Sequence, residues 1–404
     1  MNDFTFLSPT KLIVGHGVEN STGEWIKAYG GTKALLHYGG NSCKRSGLFN
    51  RVVDSLKKNN IEYVELGGVV PNPHLDLVYQ GIELCKMENV DFILAIGGGS
   101  VIDSAKAIAM GLKYNGDVWD LFAEDNSIPR GRETQPCMPV GVVLTIAATG
   151  SEASNSCVIT KVDEQLRRFC DNDFHRPVFA IENPELTMTL PPFQTACGII
   201  DIMSHSMERY FTDEPTGNDL TDHLCEAIFK TCMECARKLQ ANPNDYDARA
   251  SIMVASTLSH NGLTGLGRHN GGDWCSHFIE HELSGEYNVT HGAGLAVITP
   301  AWMKYVYKHN IPMFLKWATR VMGVEYDYDN PDLTILEAIS RLEAFFRSLG
   351  IPTTLKEMPD VGVVSEEIMY KMAKRVRITN PDGTVGTLMK LSTEDIVNIF
   401  KLAQ

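Results

Sequence analysis

Asp201 and His205 stand four residues apart in Ile199-Ile200-Asp201-Ile202-Met203-Ser204-His205, so on a helix both side chains leave the same face. His277 and His281 repeat that spacing in Trp274-Cys275-Ser276-His277-Phe278-Ile279-Glu280-His281, and His291 opens His291-Gly292-Ala293-Gly294. One carboxylate and several imidazoles suit a divalent first-row ion, Fe(II) or Zn(II), with a coordination position left for a substrate oxygen. Spacing alone does not choose among the three downstream histidines. The same stretch carries a rival chemistry: His277-Phe278-Ile279-Glu280-His281 fits H-x-x-E-H, the inverted zinc-peptidase motif, with Glu280 as the general base of a zinc hydrolase. Cys232-Met233-Glu234-Cys235 is a C-x-x-C inside an expected helix with no second pair, and reads as two core thiols.

The first half is written for anions. In Phe92-Ile93-Leu94-Ala95-Ile96-Gly97-Gly98-Gly99-Ser100-Val101-Ile102-Asp103-Ser104-Ala105-Lys106, a strand runs into three glycines and a serine that can cap the following helix. Free backbone N–H groups and a positive helix end then face one point, and glycine lets a pyrophosphate approach the backbone closely. Tyr38-Gly39-Gly40-Asn41-Ser42-Cys43-Lys44 follows an earlier strand in the same way. A dinucleotide domain that prefers NAD sets an acidic residue near a strand end for the ribose 2′-hydroxyl. This turn has no carboxylate and offers Asn41, Ser42 and Lys44, which favours a 2′-phosphate and hence NADP(H). A third stretch, Leu144-Thr145-Ile146-Ala147-Ala148-Thr149-Gly150-Ser151-Glu152, sets hydroxyls and small residues after the apolar run from Val140. The hydrolase reading gives these turns no task, so a redox enzyme ranks above it.

The elements that must position these groups differ between the halves. Lys33 to Tyr38, Ile61 to Leu66 and Asp91 to Ile96 read as strands, alternating with helices over Ser46 to Lys58, Leu75 to Met87 and Val101 to Met110. That alternation predicts a mostly parallel α/β sheet, whose ligands sit at the carboxyl ends of the strands. After Pro191-Pro192, seven helices follow: Phe193 to Phe211, Leu220 to Leu239, Ala248 to Ser259, Trp274 to Leu283, Gly294 to Tyr307, Met313 to Met322 and Leu333 to Leu349. We therefore expect an α/β dinucleotide-binding domain over residues 1–188 and an all-α metal-binding domain over residues 189–404, with the site in the cleft between them.

Composition narrows the class. The 404 residues carry 36 Lys and Arg against 50 Asp and Glu, a net charge of -14, which speaks against a nucleic-acid surface. Ten scattered cysteines suit reduced thiols. The first residues have no leader pattern, and no run of about 18 apolar residues occurs. The expectation is a soluble, cytoplasmic protein with no membrane span.

Taken together, these motifs resemble the iron-containing (group III) alcohol dehydrogenases, most of all their NADPH-dependent butanol dehydrogenase and aldehyde reductase branch. The resemblance runs from Phe6-Leu7-Ser8-Pro9-Thr10 through the three turns to Asp201, His205, His277, His281 and His291-Gly292. It implies metal ligation by Asp201, His205, His277 and His291, which makes His281 the non-ligand histidine, a candidate for relaying the alcohol proton or orienting the substrate. It implies that Gly39, Gly40, Asn41 and Ser42 surround the adenosine end, with the 2′-phosphate near Ser42. Gly98, Gly99, Ser100 and Asp103 would hold the pyrophosphate and adjoining ribose, and Thr145 and Thr149 the nicotinamide half or the adenine. Two positions depart from the family pattern: Asn41 replaces a third glycine, and Arg167 replaces a cofactor-binding lysine while keeping the cation. The resemblance also implies hydride transfer between NADP(H) and primary alcohols or aldehydes such as butanol and butanal. A homodimer is implied too, joined through an N-terminal strand near Phe4 to Val14.

Overall fold

The computed structural model describes residues 1–122, 136–214 and 218–404. They form two compact units, Leu7–Leu190 and Pro191–Gln404, the second of which also takes in Met1–Phe6. The first six residues thus leave the domain expected for them. Asn2 N–H donates to the Gly267 carbonyl (3.1 Å) and its side-chain amide to the Glu214 carboxylate (3.0 Å).

The first unit contains strands β1 (Lys11–Val14), β2 (Lys33–Tyr38), β3 (Glu62–Leu66), β4 (Phe92–Gly97), β5 (Val140–Leu144), β6 (Ser156–Lys161), β7 (Leu166–Asp171) and β8 (Phe179–Glu182). Its helices are α1 (Thr22–Ala28), α2 (Ser42–Arg45), α3 (Leu48–Lys58), α4 (Leu75–Glu88) and α5 (Gly99–Gly111). Six strands make a parallel sheet in the order β1-β8-β5-β4-β2-β3. The runs Phe-Ile-Leu-Ala-Ile-Gly of β4 and Val-Gly-Val-Val-Leu of β5 do not alternate because both faces of such a sheet are covered. The chain goes from β2 out to β3 at one edge and then back across β2 to β4. The loops leaving β2 and β4 therefore depart in opposite directions and open a crevice at their carboxyl ends.

Two features of this unit differ from the sequence expectation. The N-terminal strand shrinks to the four residues of β1, outermost beside β8. An antiparallel hairpin, β6 with β7, stands apart from the main sheet. Its segments, Ser-Cys-Val-Ile-Thr-Lys and Leu-Arg-Arg-Phe-Cys-Asp, mix thiols and cations with apolar residues, so they lack the apolar run of a core strand.

The second unit is helical: α6 (Pro192–Tyr210), α7 (Asp219–Ala241), α8 (Tyr246–His260), α9 (Cys275–Tyr287), α10 (His291–Val306), α11 (Ile311–Arg320), α12 (Pro331–Ser348), α13 (Glu366–Arg375) and α14 (Thr393–Ala403). Helix α6 packs on α7, α8 and α10, and α9 packs on α10. Phe211 stacks on Phe314 at 4.3 Å between centroids and meets Trp302 and Trp317 edge-on, which gives the bundle an aromatic core. No helix among the described residues is long and apolar enough to cross a membrane.

Candidate metal centre and cofactor turns

Helix α6 presents Asp201 and His205 from one face, α9 presents His277 and His281, and His291 is the first residue of α10. The three helices meet because α10 starts with glycine where it crosses α6. A Cβ on Gly292 would overlap the Cys197 carbonyl of α6, and one on Gly294 would lie 2.6 Å from Glu280 Oε1. The spacing His-Gly-x-Gly therefore brings His291 to Asp201 and leaves room for Glu280 behind it.

Asp201 Oδ1 is the centre of the cluster. It lies 3.3 Å from His205 Nδ1, 3.8 Å from His277 Nε2 and 3.7 Å from His291 Nε2. Asp201 Oδ1, His205 Nδ1 and His277 Nε2 are buried and have no hydrogen-bond partner. Leaving a buried polar atom unsatisfied costs about 1–3 kcal/mol. Three such atoms converging on one point fit a bound cation, which satisfies all of them at once. Burial drives the His277 imidazolium down, but Asp201 and Glu208 overcome this and push its pKa up to about 9. His205 is held well below its usual value by burial and by the neighbouring His260 and His277. The carboxylates thus support positive charge in the cluster, concentrated at one point.

Two carboxylates orient these imidazoles from behind: Glu208, which no sequence motif singles out, and Glu280, which the hydrolase motif casts as a general base. Glu208 Oε1 accepts from His277 Nδ1 (2.8 Å), His277 N–H (3.0 Å) and Ser276 Oγ (2.6 Å). Glu280 Oε2 bonds His291 Nδ1, while its Oε1 accepts from Ser284 Oγ. A carboxylate on the far nitrogen fixes the tautomer and leaves Nε2 for the metal. Glu208 was legible as the residue one turn beyond His205, two turns beyond Asp201. Glu280, the general base of the hydrolase reading, is fully buried and engaged with His291 and Ser284, so it has the wrong surroundings for activating a water. We expect Glu280→Gln to shorten metal retention against a chelator by about 10- to 100-fold while leaving turnover at saturating metal nearly intact. Complete loss of turnover at saturating metal would instead restore Glu280 as a chemical participant.

His281 lies to one side. Its ring centroid is 5.8 Å from that of His291, and its ligand atoms group with those of Glu280 and His291 rather than with Asp201. His260, which the sequence reading passed over, stacks on His205 at 4.2 Å, with Trp274 5.5 Å from His260. Trp274 holds φ +68°, a left-handed conformation that strains a bulky residue, and the Arg209 guanidinium lies 4.5 Å over its ring.

In the first unit, sheet register brings the three turns side by side. Tyr38 pairs with Ile96 and Gly97 with Leu144, so Gly39 and Gly40, Gly98 to Ser100, and Thr145 follow adjacent strand ends. Gly40, Asn41 and Ser42 are exposed, and a Cβ on Gly40 would meet nothing within 4 Å. Gly98 and Gly99 are needed for a packing reason as well: a Cβ on either would overlap Ile146 or Thr149, so the third turn lies directly on the start of α5. Lys44 is less available than its sequence suggests, because its Nζ lies 2.7 Å from Glu65 Oε2, which Tyr38 hydroxyl also reaches at 2.9 Å. Asp103, expected at the ribose, accepts from Ser151 Oγ (2.6 Å) and Val158 N–H (3.0 Å). Arg167 is buried on β7, close enough to Asp103 to lower its pKa against the rise caused by burial.

A parallel sheet with glycine and hydroxyl turns at its switch point, and a helical bundle with a buried aspartate–histidine centre, define a metal-dependent oxidoreductase that uses a nicotinamide nucleotide. Residues 9–184 match the iron-containing alcohol dehydrogenase model, and residues 195–404 match the C-terminal model of the Fe-containing alcohol dehydrogenase family. The chain belongs to the iron-containing alcohol dehydrogenase family. It is 40% identical over 402 residues to the NADH-dependent butanol dehydrogenase A of Clostridium acetobutylicum, covering 99% of each chain. It is 34% identical over 359 residues to the NADPH-dependent aldehyde reductase YqhD of Escherichia coli, covering 88% of this chain and 89% of the relative. The crystal structure of NADH-dependent butanol dehydrogenase A from Thermotoga maritima superposes with a TM-score of 0.92 at 38% identity, covering 100% of this chain and 99% of that one.

Proposed function

We propose that this chain interconverts primary alcohols and aldehydes, such as butanol and butanal, with NADP(H) as its cofactor. The observation that carries the reading is the buried trio Asp201 Oδ1, His205 Nδ1 and His277 Nε2, convergent and without hydrogen-bond partners, with His291 Nε2 beside it. These four residues would hold Fe(II) or Zn(II), which when bound supplies Lewis acidity for a carbonyl or alkoxide oxygen. Glu208 and Glu280 keep His277 and His291 in the tautomer that directs Nε2 toward Asp201. His281 orients the substrate hydroxyl from beside His291.

Gly39, Gly40, Asn41 and Ser42 take the adenosine end, and the N–H groups of Gly98, Gly99 and Ser100 take the pyrophosphate with the positive end of α5. Thr145, Thr149, Asp103 and Arg167 border the remainder of the cofactor. NADP(H) is favoured over NAD(H) because no carboxylate stands in the turn after β2, and the nearby Glu65 is neutralised by Lys44. Relatives at 37–40% identity are named for NADH and one at 34% for NADPH, so the choice of NADP(H) rests on the turn chemistry alone. A cytoplasmic homodimer goes with the reading, for which β1, an edge strand among the described residues with Val14 exposed, offers its outer side.

Metal-stripped protein should oxidise NADPH with butanal only after Fe(II) or Zn(II) is restored, followed by the fall in NADPH absorbance. Its kcat/KM with NADPH should exceed that with NADH by about tenfold, the scale of 1.4 kcal/mol. Equal or better efficiency with NADH overturns the assignment of the 2′-phosphate to Ser42, and absence of any aldehyde-dependent oxidation overturns the activity.

A further inference from the structure

Lys106 lies wholly inside the first unit, on α5, and the chemistry above makes no use of it. Its ammonium nitrogen is 2.9 Å from Ser151 Oγ, 3.0 Å from the Ser154 carbonyl, 3.3 Å from Ser154 Oγ and 2.8 Å from the Ser156 carbonyl. Asp103, one helical turn earlier, holds Ser151 Oγ and Val158 N–H. Two side chains of α5 therefore clamp the segment from Ser151 to Val158, which runs from the third turn into β6. The clamp reaches the turn itself: Ser151 N–H donates to Thr149 Oγ1 (3.1 Å), and Thr149 packs against Gly99 at the start of α5. The same hairpin carries Arg167.

An ammonium has three protons, and here it meets four oxygens, so every donor is used. Burying such a charge is a costly way to gain stability, since an apolar side chain of similar length fills the same space without desolvation. What the charge adds is a defined arrangement of oxygens from residues spread over Ser151 to Ser156. We propose that Lys106 is a positioning residue for the nicotinamide nucleotide: its charged ammonium holds the Thr145–Ser151 turn on the glycine cradle of α5, and cofactor affinity depends on that charge. The inference rests on the assignment of the three turns to the cofactor.

The charge is within reach of ordinary titration. Burial pushes the Lys106 pKa down to about 8, against Asp103 of α5, Cys157 of β6 and Glu152 of the third turn, with Arg176 adding to the fall. His175, which also faces Lys106, is held neutral by burial, the Cys157 thiol is held protonated by burial, and Arg167 faces Asp103. Losing one proton leaves two donors for four oxygens and loosens the clamp. Global stability moves the other way. A lysine whose folded pKa lies below its ordinary 10.5 favours the folded state increasingly as pH rises from about 8 toward that value. Affinity and stability therefore diverge with pH, which a merely structural lysine would not produce.

The test is fluorescence titration of NADPH onto the metal-free chain, in which catalysis plays no part, for wild type and Lys106→Met. The wild-type Kd should rise at least about threefold with a midpoint near pH 8, in a range where the 2′-phosphate, with a second pKa of about 6, no longer titrates. K106M should bind at pH 7 at least about tenfold more weakly, with no such midpoint, and in the metal-loaded enzyme should keep kcat at saturating NADPH within about threefold. Wild-type affinity in K106M, or a flat wild-type Kd from pH 7 to about 9.5, overturns the role of Lys106. If K106M does not fold, the wild-type profile decides alone. Failure of wild type to bind either NADPH or NADH overturns the cofactor assignment and this inference together, whereas binding with an unaffected K106M overturns only the latter.

Discussion

Alanine at His277 or at His291 is expected to cut metal-dependent turnover by about 10³-fold or more while leaving NADPH affinity within about threefold. The size follows from the several kcal/mol that Lewis-acid assistance supplies, each 1.36 kcal/mol being a factor of ten. The separation of effects follows from placement, because the imidazoles belong to the helical unit and the three turns to the α/β unit. The two variants differ in their side effects. His277→Ala strips Glu208 Oε1 of one of three donors, and Glu208 is 1% exposed, so some loss of stability accompanies the loss of metal. His291→Ala, at a side chain 18% exposed, takes a partner from Glu280 Oε2 instead, and Glu280 is fully buried, so it too should lose some stability. Bound metal per chain, read by atomic emission after dialysis, should fall well below one in both variants. Retention of both metal and turnover in either variant sinks the ligand assignment.

Alanine at Gly292 should be nearly as damaging although it removes no ligand. The added Cβ would sit 2.7 Å from the Cys197 carbonyl carbon, and the opposing group is backbone in the middle of α6, which has no rotamer to change. Relief requires α10 to withdraw from α6, and His291 withdraws with it from Asp201. Overpacking of this kind costs about 1–3 kcal/mol, with rigid backbone on both sides favouring the upper end. For a unit of this size that is a fall of roughly 5–10 °C in melting temperature. Metal affinity should drop by at least about tenfold in the same variant. Gly323→Ala, where a Cβ meets nothing within 4 Å though φ is +64°, controls for the strain of adding a methyl group at a glycine. If G292A matched wild type in both melting temperature and metal retention, the close approach of α6 and α10 would not be what assembles the centre.

Much of this was legible in the sequence because it is carried by local periodicity. Lys33–Tyr38 and Leu75–Glu88 are marked by unbroken apolar runs or helical spacing, and the structure returns them with almost the same ends. Asp201 and His205 are four apart on one helix, so their shared face needs no tertiary information. The hairpin of β6 and β7 was not legible, since its buried Arg167, Arg168 and Cys170 do not look like a core strand. Their burial depends on partners far along the chain. The same holds for Met1–Phe6, which depart from the unit that follows them in sequence through contacts with Gly267 and Glu214.

The sequence by itself determined the two kinds of element, the glycine turns, and a set of candidate metal-ligating side chains larger than the proposed centre requires, because spacing along a helix or at a strand end is a one-dimensional property. Only the tertiary structure distinguished His277 and His291, which face Asp201, from His281, which lies aside. It also made Glu280 the partner of His291 rather than a base, and bound Lys106 to the segment that follows the third turn. These outcomes depend on which helices cross and how closely, and that is set by packing between residues tens of positions apart, such as Gly292 against Cys197.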